Sequence, residues 1–239
     1  MKNCFLYIVI IISFAGSLNA QEMANEDYAW EFNWGITKAT NSGIIGGGIL
    51  KYAVWTKDRV YQSFGFEFVN INHHQENKYN TFYGRFISWG KVNHLYSMRF
   101  QYGREWVLFK KAPYQGVQIN GRLAGGPSFG LLVPYYIEIH TDRFERVPYD
   151  PDVNYDRNNV VGPGGIFRGW SDTNMVPGVN AKASLSFEFS ATKNNVVGLE
   201  TGFMVEVFRN EMEILANKYT ENSNFFPNAF VTLYYGSRR

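Results

Sequence analysis

Residues 179–190 read VNAKASLSFEFS. Val179, Ala181, Ala183, Leu185, Phe187 and Phe189 share one face of an extended strand, and Asn180, Lys182, Ser184, Ser186, Glu188 and Ser190 share the other. A period of two residues means strand. Soluble sheets alternate in the same way, so the fold turns on whether the pattern recurs along the chain and whether the chain is exported.

The pattern recurs. Residues 28–38 set Tyr28, Trp30, Phe32, Trp34 and Ile36 against Ala29, Glu31, Asn33, Gly35 and Thr37. Further strands are predicted at 44–55, 60–71, 93–108, 117–139, 196–209 and 228–236, with a bend at Gly125 and Gly126. Residues 72–91 open with a polar run and alternate poorly, and they read as a long loop with some strand extension and not as a membrane strand. With 179–190 this makes eight strands; ten is the alternative if a long loop adds a hairpin. The turns at 56–59, 109–116 and 191–195 are short, while 72–91, 140–177 and 210–226 are long. Short turns on one side and long loops on the other is the asymmetry of an outer-membrane barrel, with the long loops extracellular.

The start of the chain supplies the export condition. Lys2 precedes an apolar run at 5–14 and the small or polar residues Ser17, Leu18, Asn19 and Ala20, the order of a signal peptide cleaved after Ala20. The apolar run is shorter than the roughly 20 residues that span a bilayer as a helix. Cys4, the only cysteine, falls inside this segment, so the mature domain at 21–239 carries no thiol. Without Lys2, 22 basic residues face 21 acidic ones, and no global charge points to nucleic acid.

The expected fold is therefore all-β, a closed antiparallel up-and-down transmembrane β-barrel of eight strands. A sheet in lipid must close, because lipid cannot satisfy an open edge. An eight-stranded barrel has an interior only wide enough for side chains. The inward rows supply Glu31, Glu67, Glu105, Glu188, Glu200 and Glu206 with Lys51, Arg99, Arg122 and Lys182, expected as a structural polar network filling the lumen. Trp30, Trp55, Tyr61, Trp106, Tyr135, Tyr234 and Tyr235, near strand ends, are expected in the interfacial girdles.

The segments FQYGREWVLFKKAPYQGVQI at 100–119, LAGGPSFGLLVPYYIEI at 123–139, VPGVNAKASLSFEF at 176–189 and the closing strand resemble those of the small outer-membrane β-barrel proteins of the Bacteroidota. The resemblance spans nearly all of the mature chain and concerns architecture. It implies an outer-membrane location, contact with lipid and lipopolysaccharide, and insertion by the barrel-assembly machinery. It carries over no catalytic or ligand motif. Ser237, Arg238 and Arg239 depart from the barrel pattern that ends on an aromatic residue.

Few constellations suggest chemistry. Asp150, Asp152, Asn154 and Asp156 have the alternate oxygens of a calcium loop, but Tyr155 replaces the sixth-position glycine and Val161 the twelfth-position acid. They make a weak calcium candidate beside the plainer reading of a solvated loop. His73 and His74 with Glu76 lack a further ligand at helical or hairpin spacing. A lipid-hydrolysing barrel needs a His, Ser and acid set. His94, near the rim, is the base to test, with Ser88 or Ser97 as nucleophile, and no strand presents all three residue types. No cofactor is expected. The functional expectation is a monomeric, non-enzymatic barrel with a structural, anchoring or surface-interaction role, accessory to an envelope or secretion complex through a protein partner at its extracellular loops. The alternatives are a membrane enzyme acting on lipid A or phospholipid and a narrow solute or ion channel.

Overall fold

The computed structural model describes residues 28–239 except 44, 111–115, 142, 154, 157, 166–167, 190–194 and 219. The expected signal peptide, Asn154 and most of the turn at 191–195 lie outside the described residues. In chain order the elements are β1 (Trp30–Ala39), β2 (Gly47–Lys57), β3 (Val60–Ile71), β4 (Lys78–Asn80), β5 (Phe86–Ser88), β6 (Asn93–Phe109), β7 (Gln118–Pro134), β8 (Tyr136–His140), β9 (Phe144–Pro148), β10 (Val160–Pro163), a 3-10 turn η1 (Trp170–Asp172), β11 (Asn174–Glu188), β12 (Asn195–Met212) and β13 (Ser223–Arg238).

Eight of these strands close an antiparallel barrel in the order β1, β13, β12, β11, β7, β6, β3, β2. The strand read first, β11, pairs on one side with β12, placing Lys182 opposite Met204, and on the other with β7, placing Lys182 opposite Ala124. A one-residue slip would exchange lumen and lipid faces, so the alternation itself fixes this register. The extra strands do not raise the count to ten. The pair β4 and β5 and the three strands β10, β8, β9 form separate sheets.

The barrel is apolar outside and polar inside. Val179 is 61 % exposed and Phe203 74 %, whereas Glu31, Asn33, Ser63, Asn120 and Glu206 are fully buried. Cross-strand ring pairs run up the outside, Phe64 with Tyr102 at 5.4 Å and Phe66 with Phe100 at 5.2 Å. Soluble monomers seldom expose apolar patches beyond a few hundred Å². A continuous apolar wall around a polar interior is the transmembrane barrel arrangement.

The predicted bend falls at a weak point of the β6 and β7 ladder. Pairing lapses between Arg99 opposite Ser128 and Tyr102 opposite Gly125, without change of register. Pro127 has no N–H to donate there. Asn180 on β11 donates through Nδ2 to the carbonyls of Gly126 (3.0 Å) and Pro127 (3.2 Å), replacing ladder bonds. Gly126 has to be glycine, since a Cβ would lie 2.4 Å from the Phe100 carbonyl oxygen.

Several boundaries differ from the sequence expectation. β11 starts at Asn174, β12 runs to Met212 and β13 starts at Ser223, so the loops drawn at 140–177 and 210–226 are shorter than expected. Their strands continue beyond the membrane into polar sequence, where hydropathy no longer marks them. The loop at 72–91 holds short strands, β4 and β5, as its reading allows, whereas the loop at 140–177 is less irregular than expected, since it contains β9 and β10. The single phase read over 117–139 is divided between β7 in the barrel and β8 in the extracellular sheet, and Leu131, Val133, Tyr135 and Ile137 are buried. Tyr61 and Tyr234 also leave the expected girdle, being 1 % and 4 % exposed on the lumen side. Tyr234 and Tyr235 are neighbours on a strand, so only one of them can face lipid. Tyr28 precedes β1, escapes its alternation and stacks on Tyr61 with ring centroids 4.4 Å apart.

Candidate functional site

Two regions carry the polar and aromatic groups from which function could arise: the lumen and the unit built above it by the long loops.

All ten residues expected in the lumen are there, none more than 4 % exposed. Toward the extracellular side, Arg99 from β6 donates to Glu206 through Nη2 at 2.7 Å and Nε at 3.1 Å, and to Glu67 through Nη1 at 3.4 Å. Lys182 from β11 donates to Glu67 at 2.7 Å and lies 3.2 Å from Glu200, with its ammonium 4.2 Å from the Phe230 ring centroid. Arg122 reaches Ser63 at 3.1 Å and lies 3.7 Å from Glu200. In this layer three carboxylates meet three cations.

Toward the short turns, Lys51 donates to Glu105 at 2.9 Å and lies 3.7 Å from Glu31. Asn120 bridges Glu105 at 3.0 Å and Glu188 at 2.6 Å. A residue the sequence expectation omitted completes this layer: Arg238, whose Nη1 is 3.1 Å from Glu188 Oε2. Its signal was available. Arg238 is in phase with Thr232 and Tyr234, and extending the alternation past Gly236 would have turned it inward.

Apolar layers close both ends of this network. Val69, Ile71, Leu95, Leu132, Val176, Phe208, Met212, Ile214 and Phe226 cluster at the extracellular mouth, and Tyr28, Ala53, Tyr61 and Val107 at the other. An enclosed cavity beside Glu67, Arg99 and Asn228 measures about 10 Å³. That is room for about one water. The lumen is a packed ionic core.

Above the rim, Ile87, Tyr135, Ile137, Tyr149 and Val160 bury a second apolar core, with Trp89, Ile139, Val147 and Tyr155 against it. Polar contacts tie its parts together. Thr81 donates to the Val161 carbonyl at 2.9 Å, Arg85 to Glu138 at 2.8 Å and to the Pro163 carbonyl at 3.2 Å, and Arg146 to Glu138 at 3.0 Å. Backbone bonds from Val92 to Ile214 (2.9 Å), Ala216 to Gly90 (2.9 Å) and Tyr135 to Val92 (2.7 Å) fasten the unit to the barrel. At the turn between β4 and β5, where Gly84 has φ +73°, Phe82 is 86 % exposed and its ring meets Tyr83 edge-on at 5.9 Å. Tyr79, Phe86 and, on β9, Phe144 are also exposed.

Beneath these rings lies a buried ion pair. Lys91 donates to Glu76 at 2.7 Å, and Ser88 Oγ donates to the other carboxylate oxygen at 2.6 Å. Burial opposes the charge on Glu76, but the Lys91 ammonium and the two hydrogen bonds outweigh it and hold the carboxyl below its ordinary value. Burial pulls Lys91 below the ordinary ammonium value, against the attraction of Glu76.

The other candidate groups are held by partners of their own, with His94 within electrostatic reach of Glu76. Ser88 is engaged by Glu76, Ser97 donates to Glu206 inside the lumen at 2.5 Å, and His94 packs edge-on against Tyr135 at 5.2 Å. Asp150 and Asp156 accept from the backbone N–H groups of Asp152 (2.9 Å) and Asn158 (3.0 Å), while Asp152 lies 3.3 Å from Lys218. Their oxygens order turns and a surface pair. His73 accepts from the Gln75 N–H at 3.2 Å, and its ring stands 4.5 Å from that of His74. Among the described residues, no three His, Cys, Asp or Glu side chains group as metal ligands.

No family model matches the chain, and no curated protein matches it. Among solved structures it is similar to Ail, the attachment invasion locus protein of Yersinia pestis, at 9 % identity over 88 % of this chain and 96 % of that one, with a TM-score of 0.40. The same protein in complex with the heparin analogue sucrose octasulfate gives 9 % identity, the same coverage and a TM-score of 0.38. Neisserial surface protein A gives 8 % identity over 87 % of this chain and 94 % of that one, with a TM-score of 0.35. This chain's own residues form a closed eight-stranded barrel with a filled lumen and a separately cored unit above its long-loop rim.

Proposed function

We propose that this chain is a non-enzymatic outer-membrane barrel of a Gram-negative bacterium, of the small Bacteroidota type, that holds an extracellular unit in place for contact with a protein partner of the envelope. It is exported by a signal peptide, inserted by the barrel-assembly machinery and surrounded by lipid and lipopolysaccharide. The observation that carries this reading is the contrast within the extracellular unit, which buries its own core of Ile87, Tyr135, Ile137, Tyr149 and Val160 while leaving Phe82 86 % exposed. Ordering the long loops costs about 1–2 kcal/mol per residue in backbone entropy, far more than a mere connection requires. Exposed aromatic rings beside arginine are the residue types that dominate protein interfaces.

The decisive experiment uses Phe82→Ser/Tyr83→Ser in the otherwise native protein. Affinity purification from detergent-solubilised membranes is expected to lose an envelope protein that the wild type retains, while heat-modifiable gel mobility stays unchanged. An identical set of copurifying proteins would overturn the interaction reading, and release of the mature chain into the soluble periplasm would overturn the location. The filled lumen favours this reading over a channel, with no conductance steps expected in planar bilayers. The hydroxyls of Ser88 and Ser97 donate to Glu76 and Glu206 and not to His94, which favours it over a lipid hydrolase, with an unchanged lipid A mass profile expected in a deletion strain.

A further inference from the structure

The outward wall of the barrel is not uniformly bulky. Across β6, β7, β11 and β12 the lipid-facing row shrinks to Gly125, Ala181 and Ala183, with Tyr102 on one side and Phe203 on the other. The result is an open groove of about 590 Å³. That volume falls within the roughly 300–1,000 Å³ of ligand-binding clefts.

Arg104 stands on the edge of this groove. It belongs to the outward row of β6 between Tyr102 and Trp106, pairs in register with Gln62 and Leu123, and is exposed. The other charged residues of the outward rows, Lys38, Lys57, Arg209 and Glu211, lie at strand ends. Among the described residues, Arg104 is the charged group left within the apolar band, and no described side chain pairs with it. An arginine on the lipid face costs roughly 2–4 kcal/mol at the bilayer midplane and roughly 0–1 kcal/mol near the interface. Arg104 is two residues, about 7 Å along the strand, from Trp106 on the side of the short turns. Its long stem can carry the guanidinium toward that interface, where the abundant anion is a lipid phosphate.

We propose that this groove is a binding site for one anionic phospholipid of the leaflet on the short-turn side, with an acyl chain on the floor of Gly125, Ala181 and Ala183 and the phosphate paired to Arg104. Charge complementarity selects this occupant. A second copy of the apolar wall would leave Arg104 unpaired, whereas a phosphate matches the guanidinium fork with two parallel hydrogen bonds. The site rests on the membrane-spanning reading of the barrel and is independent of any extracellular partner.

Native mass spectrometry of the full barrel in detergent, titrated with phosphatidylglycerol, tests it. The wild type is expected to retain one phosphatidylglycerol at least about tenfold more tightly than diacylglycerol, the effect of a charge-assisted phosphate contact. Arg104→Gln should abolish that preference, Ala183→Phe should abolish retention of both lipids, and Val231→Phe on another strand should change neither. Ala181→Leu fills the same floor if Ala183→Phe fails to show heat-modifiable mobility. Equal retention by wild type, R104Q and either floor variant would overturn the site. So would competition by inorganic phosphate alone, or a dimer in detergent that the floor variants disrupt without loss of lipid. Because every arm is read on purified barrel, these outcomes leave the question of location and partner untouched.

Discussion

The lumen and the extracellular unit are both buried, and they are built from opposite materials. In the lumen six carboxylates face five cations among the described residues, with Asn120 and Ser184 donating to carboxylates and Ser63 accepting from Arg122. Above the rim the core is apolar; the Glu76 and Lys91 pair is buried with Ser88 and Thr81, and surface clamps gather around Glu138. The difference follows from what surrounds each region. A barrel strand must give its apolar alternate residues to lipid, so polar residues are left for the interior. The extracellular unit is surrounded by water and turns its apolar residues inward as a soluble domain does. Exposed rings at Phe82, Tyr83 and Phe86 are therefore anomalous only in the second region, which supports the proposed contact surface there.

That contrast can be broken from either side. The largest effect is expected for Glu206→Ala, which leaves Arg99 without its main partner inside the lumen; breaking such a buried pair costs about 4 kcal/mol. Urea titration of heat-modifiable mobility should show the whole barrel losing stability. Ile137→Ala should cost about 3 kcal/mol through lost burial and an unfilled cavity, and this loss should stay local. Limited proteolysis is expected to cut residues 136–163 while the barrel band keeps its mobility. A loss of barrel stability equal to that of Glu206→Ala would show that the two regions are one cooperative unit.

Acid should separate the regions further. The folded-state pKa of Glu76 lies below its ordinary value of 4.5, so its contribution is present above that value and is lost as pH falls through the lowered one. Protease resistance of residues 72–91 should therefore decline on acidification below the ordinary carboxylate range. In Glu76→Gln that decline should be absent, with resistance at neutral pH already reduced by about 2 kcal/mol for the uncompensated Lys91. The smallest effect on stability is expected for Phe82→Ser, within about 0.5 kcal/mol, as for a surface substitution that breaks no buried contact. Urea titration checks this value. A larger loss would make Phe82 part of the core and remove the reason for reading it as a contact residue.

Much of the barrel was legible in advance because alternation is enforced on every residue of a membrane strand. The bounds of β3 and the inward placement of Glu31, Lys51, Glu67 and Glu188 follow from parity alone. Errors gathered where parity stops being enforced. Tyr28 lies before β1 and folds under the barrel onto Tyr61. Leu131 and Val133 keep the lipid-facing phase but lie where the extracellular unit covers them. Arg238 falls beyond the closing strand predicted at 228–236, although its phase points inward and β13 reaches it. The extracellular core had no comparable signal, since Ile87, Tyr149 and Val160 come from three short segments whose neighbours vary from charged to proline.

Alternation along the chain is enough to assign the face each strand turns to lipid and most of the charged residues of the lumen, because a period of two leaves one choice per strand once its exterior is apolar. Which carboxylate meets which cation, the core held by the long loops, and the meeting of Gly125, Ala181 and Ala183 beside Arg104 as a groove emerge from the folded barrel alone. Those outcomes depend on barrel closure and stagger, which bring residues from distant strands within a few ångströms of one another, and no local pattern records such distances.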